Sequence, residues 1–180
     1  RGRNLDKIGQ DEADTSELFF EDVRVPMTNC LGEEGKGFIY LMSELPQERL
    51  SIAIGAQTGA QRSFDQTVEF VRERKAFGAT LFDKQAVRQR IAMLDAKTRA
   101  ARQYLYHCAW LVTQGRDVVQ DVSMLKALTG ELVNEVVQGC QQFHGGMGYM
   151  RGMAIERLWR DARILAIGGG ATEVMLDEAA

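Results

Sequence analysis

Residues 44–50 read ELPQERL and place two carboxylates, Glu44 and Glu48, on either side of Pro46. A carboxylate can act as a general base when burial raises its pKa toward the working pH. Glu48 also directly precedes Arg49, and a carboxylate beside a cation on a helix is often only a solvated pair. The residues alone therefore leave two alternatives for Glu48, a catalytic base or an ordinary helix carboxylate.

Two glycine runs could bring the backbone close to a phosphate or a ring. Residues 145–148 read GGMG, and residues 168–170 read GGG. Neither run fits the GxGxxG pattern of a strand–helix dinucleotide site, and the sequence contains no GxxxxGK[ST] phosphate loop. On spacing alone, each run could equally well do no more than end a helix.

The histidines and cysteines give no pattern typical of a metal centre. His107 and His144 are far apart and lack partners at ligand spacing, so we expect no metal site and a surface or interhelical position for His107. Cys30, Cys108 and Cys140 are widely spaced and form no CxxC pair. We expect them to be reduced thiols that pack as small apolar residues.

Composition excludes several broad classes of function. The chain has 180 residues, of which 45% are hydrophobic and 26% charged, with a formal net charge of −3. This charge gives no footprint for nucleic acid or an anionic membrane. No stretch approaches the roughly 20 apolar residues that a membrane span needs. Only 2 prolines occur, which permits long uninterrupted helices.

The elements that must position these residues are mostly helical. Apolar residues recur at three- and four-residue steps, and this period predicts an antiparallel helix bundle. The predicted helices cover residues 37 to about 77, 83–114, 118–143, 153–164, and a last one from about 171. Residues 16–26, SELFFEDVRVP, are short, aromatic and β-branched, which predicts a strand of a sheet whose other strands lie elsewhere.

Four segments together resemble the acyl-CoA dehydrogenase family, in the family's order and over essentially the whole chain. Residues 18–26 with 31–38 resemble the end of its middle β domain. Residues 72–78, RERKAFG, resemble its R-x-x-F-G loop, and residues 142–149, QFHGGMGY, its Q-x-x-G-G-x-G-Y signature. Residues 160–164, RDARI, resemble its C-terminal R-D-A-(K/R)-I segment. The resemblance implies a remnant of the middle β domain at 1–35 and a four-helix bundle domain at 36–180.

The resemblance also implies FAD as cofactor, lying between the β domain and the bundle and shared with a second subunit. Arg74 and Phe77 are implied to contact FAD across a subunit interface, and Gln85 to contact its nucleotide half. The family commonly has Thr where Ala171 stands, so a hydroxyl contact there is either missing or moved to Thr172. The remaining implied cofactor residues, for the adenosine diphosphate and flavin nucleotide portions, are Gln142, Phe143, His144, Gly145, Gly146 and Glu173.

For the catalytic base, the resemblance selects between the alternatives at Glu48. Most family members carry the base in a Y-E-G-T segment, which here is matched by residues 168–171, GGGA, without a carboxylate. Long-chain and isovaleryl members place the base on the first bundle helix, and ELPQERL resembles the long-chain type. Glu48 is therefore the implied base. Arg49, Gly169 and Gly170 are the implied substrate-binding residues.

The implied activity is oxidation of an acyl-CoA to its trans-2-enoyl product, with electrons passing to an electron-transfer flavoprotein. The family implies a homo-oligomer, a tetramer or dimer, in a bacterial cytoplasm or mitochondrial matrix. We expect the 180 residues to be part of a longer enzyme and inactive alone. A non-catalytic interaction domain, an acyl-CoA oxidase and a related flavin monooxygenase remain alternatives.

Overall fold

The computed structural model describes residues 2–180 and builds them mainly from helices, as the sequence predicted. The helices are α1 (Gly37–Glu73), α2 (Gln85–Thr113), α3 (Val119–His144), α4 (Ala154–Ala162) and α5 (Thr172–Ala179). Strands β1 (Lys75–Ala76) and β2 (Ala79–Thr80) form an antiparallel hairpin, and short 3-10 turns lie at Met27–Asn29, Gly145–Tyr149 and Arg163–Ala166. Arg1, the first residue of the predicted β remnant, lies outside the described residues.

The core is formed mainly where α1 packs against α3. The buried face of α1 is made of small side chains, including Ala56 and Ala60, which face buried valines of α3 such as Val133 and Val136. A Cβ atom built on Gly59 would lie 3.6 Å from Cγ2 of Val133. Small residues on one helix let a second helix approach closely. The buried valines then stabilise the pair by about 1.5–3 kcal/mol each.

The short connections fix the directions of the three long helices. The β1–β2 hairpin links α1 to α2, and a turn at Gly115, with φ +63°, links α2 to α3. Consecutive helices joined by such short links run antiparallel, so α3 runs in the same direction as α1. The rings of Phe70 and His144 stack with centroids 4.2 Å apart. The C-terminal ends of α1 and α3 therefore meet.

The two short helices pack on α3 and are held by charged groups. On α4, Arg160 donates hydrogen bonds to Glu156, to Asp11 and to the carbonyl of Ile8, which ties residues 8–11 to the bundle. Met175 anchors α5 and is fully buried.

An ion pair between the buried Arg49 and the partly exposed Glu178 completes the attachment of α5. Its Glu178 accepts a short hydrogen bond from Arg49 of α1 and a 2.6 Å bond from the hydroxyl of Ser123 of α3. These donors hold the pKa of Glu178 below its ordinary value of 4.5.

The cysteines agree only in part with expectation. All three thiols are free, and Cys108 and Cys140 are buried. Burial raises the pKa of each buried thiol to about 11, so both are neutral at physiological pH. Cys30 is exposed, and the prediction that it packs as a buried apolar residue is wrong. His107 lies on the exposed side of α2, with its ring between those of Tyr104 and Trp110.

The predicted strand at 16–26 does not form a paired strand. Among the described residues, Ser16 makes an isolated antiparallel bridge with Asn4, and residues 18–25 have no sheet partner. Phe19 and Phe20 are 72% and 77% exposed. A strand needs hydrogen bonds from a neighbour along its length. Residues 2–180 supply segment 16–26 with little beyond the bridge at Ser16 and a 2.8 Å bond from the N–H of Gly2 to the carbonyl of Glu17.

The end of α1 differs from expectation. The helix ends at Glu73 rather than near residue 77, because the hairpin takes over and both Phe77 and Gly78 have positive φ. Pro46 lies in the helix interior. Since proline has no N–H, the carbonyl of Met42 lacks its usual donor four residues later.

We predict that two Gly→Ala substitutions in helices have opposite effects. A Cβ at Gly130 would lie 2.9 Å from the carbonyl oxygen of Leu165, whereas Gly55 has open space. Gly130→Ala should destabilise the protein by about 1–3 kcal/mol through overpacking. Gly55→Ala should stabilise it by up to about 1 kcal/mol through helix propensity. Thermal unfolding of both variants measures this, and equal shifts in Tm would contradict the close α3 packing.

We also predict that Glu178→Gln destabilises the protein by about 1–3 kcal/mol at neutral pH, because the buried Arg49 loses its charged partner. The folded pKa of Glu178 is lowered, so the pair contributes stability above its ordinary value of 4.5 and loses it as pH falls through the lowered pKa. The Tm difference between wild type and variant should therefore shrink well below pH 4.5. A difference that persists in acid would mean that the ion pair is not its source.

Candidate functional site

The predicted site residues fall into two groups at different levels of the bundle. Lys126 contacts the glycine run at 170, while His144 contacts the end of α1. These residues are 18 positions apart on α3, which corresponds to about 27 Å along the helix. We call the first set the glycine-turn group: Glu48, Arg49, Gly169, Gly170, Ala171, Thr172 and Glu173. The second is the hairpin-end group: Arg74, Phe77, Gln85, Gln142, Phe143, His144, Gly145 and Gly146.

Phe77 stands at the tip of the β1–β2 hairpin in an unusual state. Its φ is +54°, and its side chain is 94% exposed. A non-glycine residue in this region costs about 1–2 kcal/mol, and the exposed ring adds no packing to offset that cost. Lys84 donates a 3.1 Å hydrogen bond to the Phe77 carbonyl and so supports the tip. The fold itself gains nothing visible from an aromatic ring here, which favours a ligand or partner as its contact.

The other members of the hairpin-end group lie on three segments at the same end of the bundle. Arg74 is exposed where α1 passes into β1, and Gln85 is the exposed first residue of α2. Gln142 is exposed near the end of α3, whereas Phe143 packs partly into the core. Arginine, amide and aromatic side chains are thus presented together at one end of the bundle.

His144 differs from its neighbours because it serves the fold directly. Its ring is buried, stacks on Phe70, and its Nδ1 lies 3.0 Å from the carbonyl oxygen of Cys140. In the structure it therefore fixes the end of α3. Any contact with a cofactor comes in addition to that packing.

The glycines after His144 have separate reasons to be glycine. Gly145 ends α3 with φ +56° and ψ −142°, a conformation that essentially only glycine adopts. Gly148 is packed tightly, since a Cβ there would lie 2.8 Å from the Gln141 carbonyl oxygen. Gly146 has neither constraint, and the space beside its Cα is open. Helix termination explains Gly145, while the bare backbone at Gly146 suits the close approach of a ligand.

The glycine-turn group is built where α1, α3 and α5 meet. Gly169 and Gly170 have φ of +69° and +115°, so both adopt backbone conformations that favour glycine. A Cβ at Gly169 would also lie 2.2 Å from Cδ1 of Ile52 on α1. Nε of Arg49 donates a 3.4 Å hydrogen bond to the Gly169 carbonyl. The turn and the first bundle helix are therefore in direct contact.

Glu48 precedes Arg49 in α1, and its side chain is exposed in this chain. The sequence places the predicted base next to the residue that contacts Gly169. Residues 2–180 leave this carboxylate exposed to solvent. The arrangement can remove a proton from a molecule seated beside the turn only when other groups exclude water from the carboxylate.

The residues that follow the turn are only partly free to contact a ligand. The Thr172 hydroxyl donates a 2.8 Å hydrogen bond to Glu131, so it is already used within the protein. Ala171 is half-buried and offers no side-chain donor, and Glu173 is exposed in the first turn of α5.

Sequence reasoning missed three residues that hold the glycine turn. These are Lys126, whose ammonium bonds the Gly170 carbonyl, and the pair Ser123 and Glu178 that completes the charged group around Arg49. Lys126 carried a detectable signal, because it lies one helical turn after Val122 on a buried side of α3. Glu178 carried none, since nothing in its local pattern distinguishes it from a solvated carboxylate.

Among residues 2–180, no group of three or more His, Cys, Asp or Glu side chains is arranged to hold a metal ion. No helix in the same range is long and apolar enough to cross a membrane.

Comparison with known proteins identifies the fold. Residues 35–180 match the family model described as acyl-CoA dehydrogenase, C-terminal domain. The mitochondrial long-chain specific acyl-CoA dehydrogenase of Sus scrofa is 45% identical over 175 residues, which are 97% of this chain and 41% of that protein. The caffeyl-CoA reductase-Etf complex subunit CarC of Acetobacterium woodii is 36% identical, over 96% of this chain and 46% of its own.

A solved structure agrees closely with the model. The acyl-CoA dehydrogenase from Geobacillus kaustophilus superposes with a TM-score of 0.96 at 41% identity, covering 99% of this chain and 47% of the solved one. The chain thus spans less than half the length of the relatives that it matches. With its helices, hairpin and both glycine turns in place, the chain belongs to the acyl-CoA dehydrogenase family and comprises its C-terminal helical domain.

Proposed function

We propose that this chain is the C-terminal part of a flavin-dependent acyl-CoA dehydrogenase and that Glu48 is its catalytic base. The observation that carries the proposal is the contact between Arg49 and the Gly169 carbonyl, at 3.4 Å. By the resemblance, Gly169 occupies the position at which most family members carry the catalytic base. A carboxylate on α1 beside Arg49 can therefore act at the place that a carboxylate at 169 would otherwise serve.

The proposed reaction is loss of the α-proton and the β-hydride of an acyl-CoA, giving the trans-2-enoyl thioester. An α-proton of a thioester is weakly acidic, so the base must be desolvated and the developing enolate oxygen must receive hydrogen bonds. Glu48 accepts the α-proton on a carboxylate oxygen. We infer that the acyl chain and the rest of the enzyme exclude water from Glu48. FAD, when bound, supplies the hydride acceptor.

The hairpin-end group suits an extended anionic cofactor such as FAD. Arg74 offers a cation, Gln85 and Gln142 offer amides, and the strained, exposed Phe77 offers an aromatic surface. Gly145 and Gly146 let a ligand approach the backbone, with Phe143 and His144 supporting that loop from behind. We propose that these residues contact the nucleotide portion, and that Ala171, Thr172 and Glu173 lie near the flavin end.

The separation of the two groups supports a homo-oligomer. We propose that the hairpin-end group serves the FAD of a second subunit while the glycine-turn group serves the chain's own, in a dimer or tetramer. Arg49, Gly169 and Gly170 are proposed to line the thioester and CoA region of the substrate.

We propose an electron-transfer flavoprotein as the electron acceptor, supported by a relative that is named as a subunit of an Etf complex. The pig relative is named as mitochondrial, which supports a location in the mitochondrial matrix. In a bacterium the proposed location is the cytoplasm.

Retention of Glu48, Arg74 and Gln142 favours dehydrogenation over a non-catalytic interaction domain. An acyl-CoA oxidase or a flavin monooxygenase would consume dioxygen, and this distinguishes both from the proposed dehydrogenase.

The first test of the proposal replaces the base. Glu48→Gln in the full-length protein should retain FAD and lower kcat for acyl-CoA oxidation about 10²- to 10⁴-fold, the usual contribution of a positioned general base. Glu44→Gln is the matched control, because Glu44 is an exposed carboxylate one turn earlier on α1. Dye reduction at saturating acyl-CoA measures both. Wild-type turnover by Glu48→Gln would exclude Glu48 as the base.

The second test separates cofactor binding from folding at the hairpin tip. Phe77→Gly removes the aromatic ring and also relieves the strain at φ +54°, because glycine adopts this backbone conformation freely. The flavin-free variant should therefore unfold no earlier than wild type, while its Kd for FAD rises about tenfold, or about 1.4 kcal/mol.

Trp110→Ala provides the comparison, since Trp110 is a half-exposed aromatic near the other end of α2. Titration of the apoenzyme with FAD, followed by flavin fluorescence, measures all three proteins. Equal FAD affinity in Phe77→Gly and wild type would contradict a cofactor contact at Phe77.

A further inference from the structure

Lys126 is a fully buried lysine that the proposed function does not yet use. Its exposed fraction is 0%, and its ammonium donates a short hydrogen bond to the carbonyl of Gly170. Burying an ammonium is costly unless it is well bonded. Desolvation, together with the charge of Arg49, lowers the pKa of Lys126 below its ordinary value. A methionine or leucine would fill the same space without this cost, so the donor itself needs an explanation.

The turn that Lys126 contacts is held at two successive carbonyl groups. Lys126 of α3 bonds the oxygen of Gly170, and Arg49 of α1 bonds the oxygen of Gly169. Arg49 is itself fixed by Glu178, which also accepts from Ser123. The two donors come from α3 and α1, the two helices that form the core. The packing of these two helices therefore holds the turn.

Holding these oxygens also fixes the direction of the neighbouring N–H groups. No cis peptide bond occurs among the described residues. In a trans peptide the C=O and the following N–H point to opposite sides. The carbonyls of Gly169 and Gly170 face Arg49 and Lys126, so the N–H groups of Gly170 and Ala171 face the other way. Within residues 2–180, neither N–H has a hydrogen-bond acceptor.

We propose that Lys126 is a positioning residue for the dehydrogenation, which orients the free N–H group of Ala171 toward the thioester of the acyl-CoA, beside the N–H of Gly170 that Arg49 orients. The inference rests on the proposed function and adds a residue to it. Donors aimed at the developing enolate oxygen accelerate proton removal only if they are held in place before the reaction. Lys126 acts through the Gly170 peptide and does not itself contact the substrate.

The test replaces the donor with an unbranched apolar side chain that is one atom shorter. Lys126→Met in the full-length holoenzyme should lower kcat per bound flavin about tenfold or more, with KM close to wild type. The isotope effect on kcat with α-dideuterated acyl-CoA should rise, because proton removal becomes more fully rate-limiting. Lys126→Arg, which keeps a cationic donor, should recover part of the loss.

Val136→Ala is the control for a purely structural role. Val136 is also fully buried on α3 but lies in the core away from the glycine turn. It should lower Tm while leaving kcat per flavin and the isotope effect at wild-type values. Wild-type kcat per flavin in Lys126→Met, or an equal loss in Val136→Ala, would overturn the proposal.

A measurement on the wild-type enzyme keeps the proposal testable if Lys126→Met does not fold. Binding of the enoyl-CoA product should slow hydrogen exchange at the amides of Gly170 and Ala171. Unchanged exchange at both amides would refute their role as donors. The kcat of Glu48→Gln tests the proposed base separately. Wild-type kcat in Glu48→Gln would exclude the base, whereas wild-type kcat in Lys126→Met would exclude only the positioning role.

Discussion

The close packing of α1 against α3 is the constraint on which the rest of the structure depends. Alanines on α1 and valines on α3 bring the two helices together, and Gly59 lies against Val133 at the contact. This pairing brings Phe70 to His144 at one end and Arg49 to Ser123, through Glu178, at the other. Both groups of site residues are thus positioned by one helix–helix interface.

The site residues themselves contribute little to that interface, and several oppose stability. Phe77 is exposed in a strained conformation, and Lys126 buries its amino group completely. Gly169 and Gly170 hold backbone conformations that other residues rarely adopt. Such costs are tolerated where the surrounding packing over-determines the geometry, which is typical of binding sites.

The sequence predicted the helices well because their apolar period is regular over many turns. The residues alone drew attention to both glycine runs, and motif resemblance added the R-x-x-F-G loop and the proposal that Glu48 is the base. The sequence failed for the strand at 16–26, because strand formation depends on partners that local residues do not reveal. It missed Lys126 and Glu178 because their roles come from contacts between α3, α1 and α5, which are distant in sequence.

The interior position of Pro46 has a consequence for the mobility of α1. Residues before it, such as Phe38 and Leu41, are exposed, while the buried face of the helix begins after it, at Arg49 and Leu50. With one helical hydrogen bond missing at the proline, the two parts of the helix do not protect each other fully against local opening. Amide exchange should therefore change steeply along a single continuous helix. Glu48 lies at that boundary. The part of α1 that follows it is packed into the core, and the part before it opens more readily.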